Sequence, residues 1–299
     1  MRDRVPARIR ALAPAAPAGF ALETAGLGVR YRTAWALRDC SLALPAGRIA
    51  ALVGPNGAGK TTLLHAIAGL LDPAAGSVRT SGDVAFVAQD KPLYERFTVA
   101  ETLMLGRRLN PRWDASYAEA RMAALGIPLR RRVGRLSGGQ QAQVALTLAL
   151  ARRPDLLVLD EPLANLDPLA RHDVMRAIMA EAAEREVTVL ISSHVVSDLE
   201  DTCDWLILLN GGRVQVAGDI EDLLDEHLVL SGPAEWAGNL ADRTVCVDRA
   251  GRQATLLVRG VPAVDPRWHA RRATLDELVM GYLRAPRAAA LPGPVEVRA

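Results

Sequence analysis

The sequence predicts an α/β fold with a mainly parallel sheet at its core. Three observations point there. Short apolar runs recur at 49–53, 84–87, 156–159 and 187–191. They are continuous and brief, as strands buried on both faces are. Stretches with helical apolar spacing separate them, and the first run passes directly through a Gly-rich turn into such a stretch.

The elements follow in order. Residues 1–19 combine Arg, Ala and Pro with no continuous apolar stretch, so they read as a disordered tail and not as a secretory signal. A transit peptide is the alternative. From Phe20 to about Pro45 the chain is strand-rich. After Lys60 the positions Leu63, Leu64, Ile67, Leu70 and Leu71 keep helical spacing, and Asp72-Pro73 is expected to end that helix. Residues 92–152 form a helical insertion. Thr98-x-x-Glu101 is a capping box, Asp114 caps a second helix, and a third starts after Gly138-Gly139. Asp167-Pro168 opens another helix with a cap and a first-turn Pro. Ser197-x-x-Glu200 is expected to cap one more. Asn210-Gly211-Gly212 between two apolar runs signals a hairpin. The main domain is expected to span 20–229. A small C-terminal α+β appendage is read over 230–284, with strands at 244–247 and 255–258 and a helix over 275–283. Residues 285–299, rich in Ala and Pro, read as a second disordered tail.

Composition narrows the function. Half the residues are hydrophobic and the net charge is +2, too balanced to argue for nucleic-acid binding. Cys40, Cys203 and Cys246 lie far apart, which suggests neither a zinc site nor a disulfide framework. No run of 18 apolar residues predicts a membrane span. Only two of the 36 basic residues are lysines, Lys60 and Lys91. In so Arg-biased a chain a lysine stands out as specifically required.

Lys60 sits in Gly54-Pro55-Asn56-Gly57-Ala58-Gly59-Lys60-Thr61, which fits G-x-x-x-x-G-K-[ST]. The glycines let backbone amides turn inward, and the helix N-terminus adds a positive dipole end, so the loop can cradle phosphates. Lys60 adds charge near the β- and γ-phosphates, and Thr61 offers a hydroxyl to Mg²⁺. Leu156–Leu159 then runs into Asp160-Glu161. A buried strand would carry Asp160 to the edge where ligands bind, with Glu161 one residue beyond to polarise a water. Ile191-Ser192-Ser193-His194 ends another buried strand and brings His194 to the same edge. Leu136-Ser137-Gly138-Gly139-Gln140 opens an apolar helix and offers a second anion-binding helix tip. A single nucleotide has little use for two such tips in one chain. The simple solution is that this tip grips the nucleotide held by another copy.

Together these segments resemble the ABC ATPase family over about residues 20–229. The correspondence comprises Walker A (Gly54 through Thr62), the Q-loop (Gln89), the signature (136–140), Walker B (156–161), the D-loop (165–167) and the switch histidine (His194). Tyr31 falls where the family has an aromatic that stacks on adenine. The resemblance implies a P-loop NTPase of ABC ATPase type, with an antiparallel β subdomain and an inserted helical subdomain. It implies ATP and Mg²⁺ as cofactors. Lys60 and the loop amides would hold phosphates, and Thr61, Gln89 and Asp160 would serve Mg²⁺. Glu161 would be the general base, and His194 would contact the γ-phosphate. Ser137, Gly138, Gly139 and Gln140 would complete the site of a second ATPase subunit, identical or different, in a head-to-tail dimer. The implied role is to power transport, expected as export, through a separate transmembrane permease. The expected place is cytoplasmic, peripheral on the inner face of the membrane. A soluble relative acting on ribosomes or DNA is the alternative, with no nucleic acid expected. One departure is Gln141-Ala142-Gln143, where basic residues are more usual.

Overall fold

The computed structural model describes residues 19–196, 199–260 and 265–291. Two long strands, β1 (Phe20–Tyr31) and β2 (Ala34–Pro45), pair antiparallel. β3 (Ile49–Val53) passes through the Gly-rich turn into α1 (Lys60–Ile67). β4 (Ala75–Thr80) pairs with the other edge of β1. After β5 (Val84–Val87) come three helices, α2 (Val99–Leu109), α3 (Ala115–Ala124) and α4 (Gly138–Leu150). β6 (Leu156–Leu159), α5 (Pro168–Arg185) and β7 (Thr188–Ser193) return the chain to the core. A hairpin of β8 (Trp205–Asn210) and β9 (Arg213–Asp219) follows, then α6 (Ile220–Asp225) and β10 (His227–Pro233). β11 (Thr244–Ala250), β12 (Gln253–Arg259), β13 (His269–Arg272) and α7 (Leu275–Arg284) complete the described fold.

The main sheet has the order β5-β6-β7-β3-β8-β9 and is parallel except for the last pair. Its strands alternate between two cores. Leu52, Leu156, Val158 and Leu190 face α1 and the β1–β2 hairpin, against Leu63, Leu64, Leu37 and Leu44. Ala51, Leu157, Leu159, Val189 and Ile191 face α4, α5 and α7. Both faces are covered, so the strands read as unbroken apolar runs. Each fully buried Leu contributes roughly 1.5–3 kcal/mol through burial. Val99, Met122, Leu136 and Val144 give the inserted helices a separate small core. Two further sheets, antiparallel, are β2-β1-β4 and β11-β12-β10-β13. No helix among the described residues is long and apolar enough to cross a membrane.

Three local expectations change. α1 stops at Ile67, several residues before Asp72-Pro73, because Gly69 takes a left-handed φ of 69° and ends the helix. Leu70 is consequently exposed. The expected tail from 285 is tied to the main fold at Ala290. Ala290 forms a parallel bridge to Val216, and the Ala290 amide donates to Gln215 O at 2.9 Å. The residues of the tails at 1–18 and 292–299 lie outside those described, as does Ser197 of the expected capping pair. From Leu199 to Cys203 the chain makes turns.

The C-terminal segment is anchored to the main fold. Leu275, Leu278, Val279 and Tyr282 of α7 belong to the same core as α5 and β7. The last carbonyls of a helix need outside donors. The Gln215 side-chain amide supplies two, bonding Tyr282 O and Ala285 O at 2.7 Å each. His227 is fully buried between Leu223 O (2.6 Å from Nδ1) and the Tyr282 hydroxyl (2.8 Å from Nε2). A carbonyl only accepts, so Nδ1 carries the proton and Nε2 accepts from Tyr282. Burial pushes the His227 pKa below its ordinary value, with the nearby Arg259 adding to the effect. The unfolded chain therefore takes up a proton near pH 6.5 while the folded chain does not. Stability is expected to fall as pH drops below about 6.5, by at most about 1.4 kcal/mol per pH unit from this group. Melting temperatures of wild type and His227→Gln, compared between about pH 7 and 5, check this, and the variant should show a shallower decline.

Candidate active site

β5, β6, β7 and β3 are parallel neighbours, so their C-terminal ends share one edge of the sheet. Ligands bind outside that edge in open parallel sheets. β3 delivers Gly54 through Lys60, β6 delivers Asp160 and Glu161, β7 delivers His194, and Gln89 follows two residues after β5.

The loop after β3 is fixed by close approaches. A Cβ on Gly54 would run into the Leu209 carbonyl, and one on Gly59 would lie 2.8 Å from Ala36 O. Gly59 also has φ 104°, a conformation L side chains rarely adopt. The Ala58 amide donates to Pro55 O at 3.1 Å and closes a turn inside the loop. The helices α2 to α7 all have a capping side chain, from Thr98, Asp114, Ser137, Asp167, Asp219 and Thr274. α1 begins after Gly59 with none. Its first-turn amides are thus left for an outside acceptor, which is what an anion site at a helix N-terminus requires.

Lys60 is 6% exposed. Its ammonium donates to Gly54 O at 2.8 Å and pairs with Glu161 Oε1 at 3.7 Å. The other Glu161 oxygen lies 3.2 Å from His194 Nδ1. A cleft of about 690 Å³ gathers Asn56, Gly57, Gly59, Lys60, Thr61, Thr62, Gln89, Glu161 and His194. Thr61 and Gln89 present neutral oxygens there. Asp160 is 2% exposed and adjoins Glu161 without being part of that lining. Among the described residues no group of three or more His, Cys, Asp or Glu could hold a metal by itself. One carboxylate, one hydroxyl and one amide suit Mg²⁺, which is bound through few protein oxygens together with phosphate oxygens.

Other expected residues lie apart from the cleft. Gly54 and Pro55 line a separate cleft of about 470 Å³ behind the loop, against Val279 and Met280 of α7. Ala58 is buried. Tyr31 ends β1 half-exposed, outside the lining of the phosphate cleft. Ser137, Gly138, Gly139 and Gln140 also lie outside that lining, at the tip of α4. The Ser137 hydroxyl accepts from the Gln140 amide at 3.2 Å, and the Gln140 side chain accepts from the Ser137 amide at 3.1 Å. This reciprocal cap leaves the Gly138 and Gly139 amides for an acceptor outside the helix.

Sequence reasoning missed Ala36, Ala164 and Arg171, which line the cleft, and gave Asn165 only a place in a motif. Arg171 stands one helical turn beyond the Asp167 cap, which is a readable signal. Ser192 was also passed over. It is 1% exposed, its hydroxyl donates to Asp160 Oδ1 at 2.7 Å, and it accepts from the Glu161 amide at 2.8 Å. Glu161 has φ 43°, left-handed for a residue with a side chain, which costs on the order of 1–3 kcal/mol. The signal for Ser192 was a hydroxyl within an otherwise apolar strand.

An uncapped helix behind a glycine loop, with acidic residues at the end of a nearby parallel strand, defines a P-loop nucleoside triphosphatase. A model of the ABC transporter family matches residues 37–164. The chain is 31% identical to the ABC transporter ATP-binding protein YtrB of Bacillus subtilis (strain 168), over 74% of this chain and 81% of the relative. It is 33% identical to the phosphonates import ATP-binding protein PhnC 1 of Rhodopseudomonas palustris (strain HaA2), over 79% and 95%. A solved ATP-binding subunit of an ABC transporter superposes with a TM-score of 0.62 at 27% identity, covering 68% of this chain and 92% of that one. The chain belongs to the ABC transporter family, as an ATP-binding and ATP-hydrolysing subunit.

Replacing Glu161 with Gln keeps the shape of the side chain and removes its basicity. ATP hydrolysis by Glu161→Gln is expected to fall about 10²–10⁴-fold, the usual range for a general base, with ATP binding retained. Phosphate release and equilibrium binding of a fluorescent ATP analogue measure the two.

Proposed function

We propose that this subunit binds Mg-ATP between two ATPase subunits and uses its hydrolysis to drive a separate transmembrane permease. One observation carries the reading. The Gly138 and Gly139 amides sit on a helix tip outside the cleft that Lys60, Gln89, Glu161 and His194 line. A second subunit placed head to tail brings that tip onto the γ-phosphate and completes the site. The two ATPase subunits are identical or different chains.

Within each site the uncapped start of α1 and the loop amides hold phosphate oxygens, joined by Lys60. Asn56, Gly57, Thr61 and Thr62 line the same cleft. Tyr31, on the exposed end of β1, offers a ring for the adenine. Thr61, Gln89 and Asp160 would hold Mg²⁺, which neutralises charge on the β- and γ-phosphates. The Glu161 carboxylate accepts a proton from the attacking water and aims it at the γ-phosphorus. His194, 3.2 Å from the Glu161 carboxylate, is placed to contact the γ-phosphate.

The permease reading draws support from the segment after Gln89. A largely apolar cleft of about 480 Å³ lies between the inserted helices and the main sheet, lined by Phe86, Leu93, Tyr94, Leu105 and Leu109 among others. Tyr94, Leu109 and Leu70 are more than half exposed along it. An exposed apolar cleft of this kind suits a short helix from a partner. Gln89 reaches the nucleotide cleft and opens this segment, so phosphate contact and partner contact share one stretch of chain. The subunit then sits on the cytoplasmic face of the membrane, held by its partner. Export, the direction expected from the sequence, receives no support from PhnC 1, which is named for import.

Ser137→Arg places a bulky cation on the helix tip. It is expected to abolish hydrolysis while each monomer still binds ATP with wild-type affinity, read by phosphate release and by analogue binding. Hydrolysis surviving in the variant rules out the shared site. Affinity purification of the full chain from detergent-solubilised native membranes is expected to bring down a polytopic membrane protein in a defined ratio. Recovery with ribosomes or DNA in its place rules out the permease reading.

A further inference from the structure

We propose that Ser192 is a positioning residue for ATP hydrolysis, whose single hydroxyl holds both the carboxylate of Asp160 and the backbone of Glu161. The inference rests on the roles proposed above for those two acids.

Register creates the arrangement. Leu159 of β6 lies opposite Ile191 of β7, so the next residues on the two strands, Asp160 and Ser192, meet at the sheet edge. Alternation along β7 sets Ser192 on the same face as Leu190, which packs with Leu52, Val158 and Leu64. An aliphatic side chain would suit that face, and a buried hydroxyl is tolerated there only when bonded. Ser192 is bonded as donor and as acceptor. Its proton goes to Asp160 Oδ1 at 2.7 Å, and its oxygen receives the Glu161 amide at 2.8 Å. The first bond fixes the rotation of the Asp160 carboxylate and leaves Oδ2 for another ligand. The second bonds the backbone of Glu161, whose left-handed conformation, φ 43°, is uncommon for a residue with a side chain. The neighbouring hydroxyl has a different task. Ser193 Oγ accepts from the Val195 amide at 2.9 Å and shapes the bend that carries His194. Two consecutive serines thus separate the duties of aligning the acids and turning the histidine.

Threonine and valine are nearly isosteric, so Ser192→Thr and Ser192→Val differ at this position by the hydroxyl alone. The full-length chain serves for the test. Measured quantities are kcat and KM for ATP, and the Mn²⁺ affinity in the presence of a non-hydrolysable ATP analogue, read by electron paramagnetic resonance. Ser192→Val is expected to lose about 10- to 100-fold in kcat and on the order of tenfold in Mn²⁺ affinity relative to Ser192→Thr, as loss of a group that orients a ligand does. KM for Mg-ATP should rise by no more than the loss in metal affinity, because metal and nucleotide bind in one linked complex. Equal kcat or equal Mn²⁺ affinity in the two variants overturns the proposal, whether both match wild type or both fall. Glu161→Gln is the control that separates the two readings. Wild-type turnover in it rejects the role of Glu161, whereas a hydrolysis-deficient Glu161→Gln beside indistinguishable Thr and Val variants rejects only the role of Ser192.

Discussion

Parallel pairing of β5, β6, β7 and β3 is the constraint on which the site depends. Parallel strands end on one side, and the loops they feed converge there without any loop having to travel far. Gln89, Asp160, Glu161, His194 and the phosphate loop are spread over more than a hundred residues of sequence, yet each lies within two residues of a strand end or directly follows one. The pairing also fixes register. Val53 beside Ser193, and Leu159 beside Ile191, determine which residue of each strand end meets the next. A one-residue slip would turn Ser192 away from Asp160 and set an aliphatic side chain in its place. Cores on both faces of the sheet make that slip costly.

The glycines of the phosphate loop answer to the fold as well as to a ligand. Gly54 lies under the Leu209 carbonyl of β8, and Gly59 lies against Ala36 O and the Leu37 side chain of β2. A side chain at Gly54 would push the loop off β8, and one at Gly59 would push it off β2. The loop is therefore pressed into shape from both sides before any phosphate arrives. This preorganisation matters for binding, because a loop already held in the bound conformation loses little entropy on meeting its ligand.

Much of this was legible in the sequence, and the rest was hidden for identifiable reasons. The strands of the parallel core show as short apolar runs because both faces of the sheet are covered. Thr98, Asp114 and Asp167 were readable as caps because a capping side chain acts within its own turn of helix. The polar residues at strand ends were legible for a related reason: a polar residue that directly ends an apolar run stands at the sheet edge. β4 and β13 were missed, since β4 is Gly- and Ser-containing with no buried residue, and β13 is exposed along its length. The early end of α1 was missed because Leu70 and Leu71 continue the apolar spacing past Gly69, and the left-handed glycine overrides that pattern. Arg171 and Ser192 reach the site through helix placement and strand register, which no single stretch of sequence displays.

The C-terminal segment shows how a sequence boundary and a packing boundary can differ. The strand pattern weakens near residue 229, which reads as the edge of a domain. Yet α7 lies in the same core as α5 and β7, and Gln215 of β9 bonds its final carbonyls. Val279 and Met280 form one wall of the cleft behind Gly54 and Pro55, and His194 lines that same cleft. The fold thus sets α7 across one cleft from the phosphate loop and from the turn that carries His194. Val196 and Leu199, just beyond His194, are buried in the core that α7 shares. The antiparallel sheet of β10 to β13 is tied to α7 through His227 and Tyr282. That sheet is thereby joined to the core that lies beneath the β7 end of the main sheet.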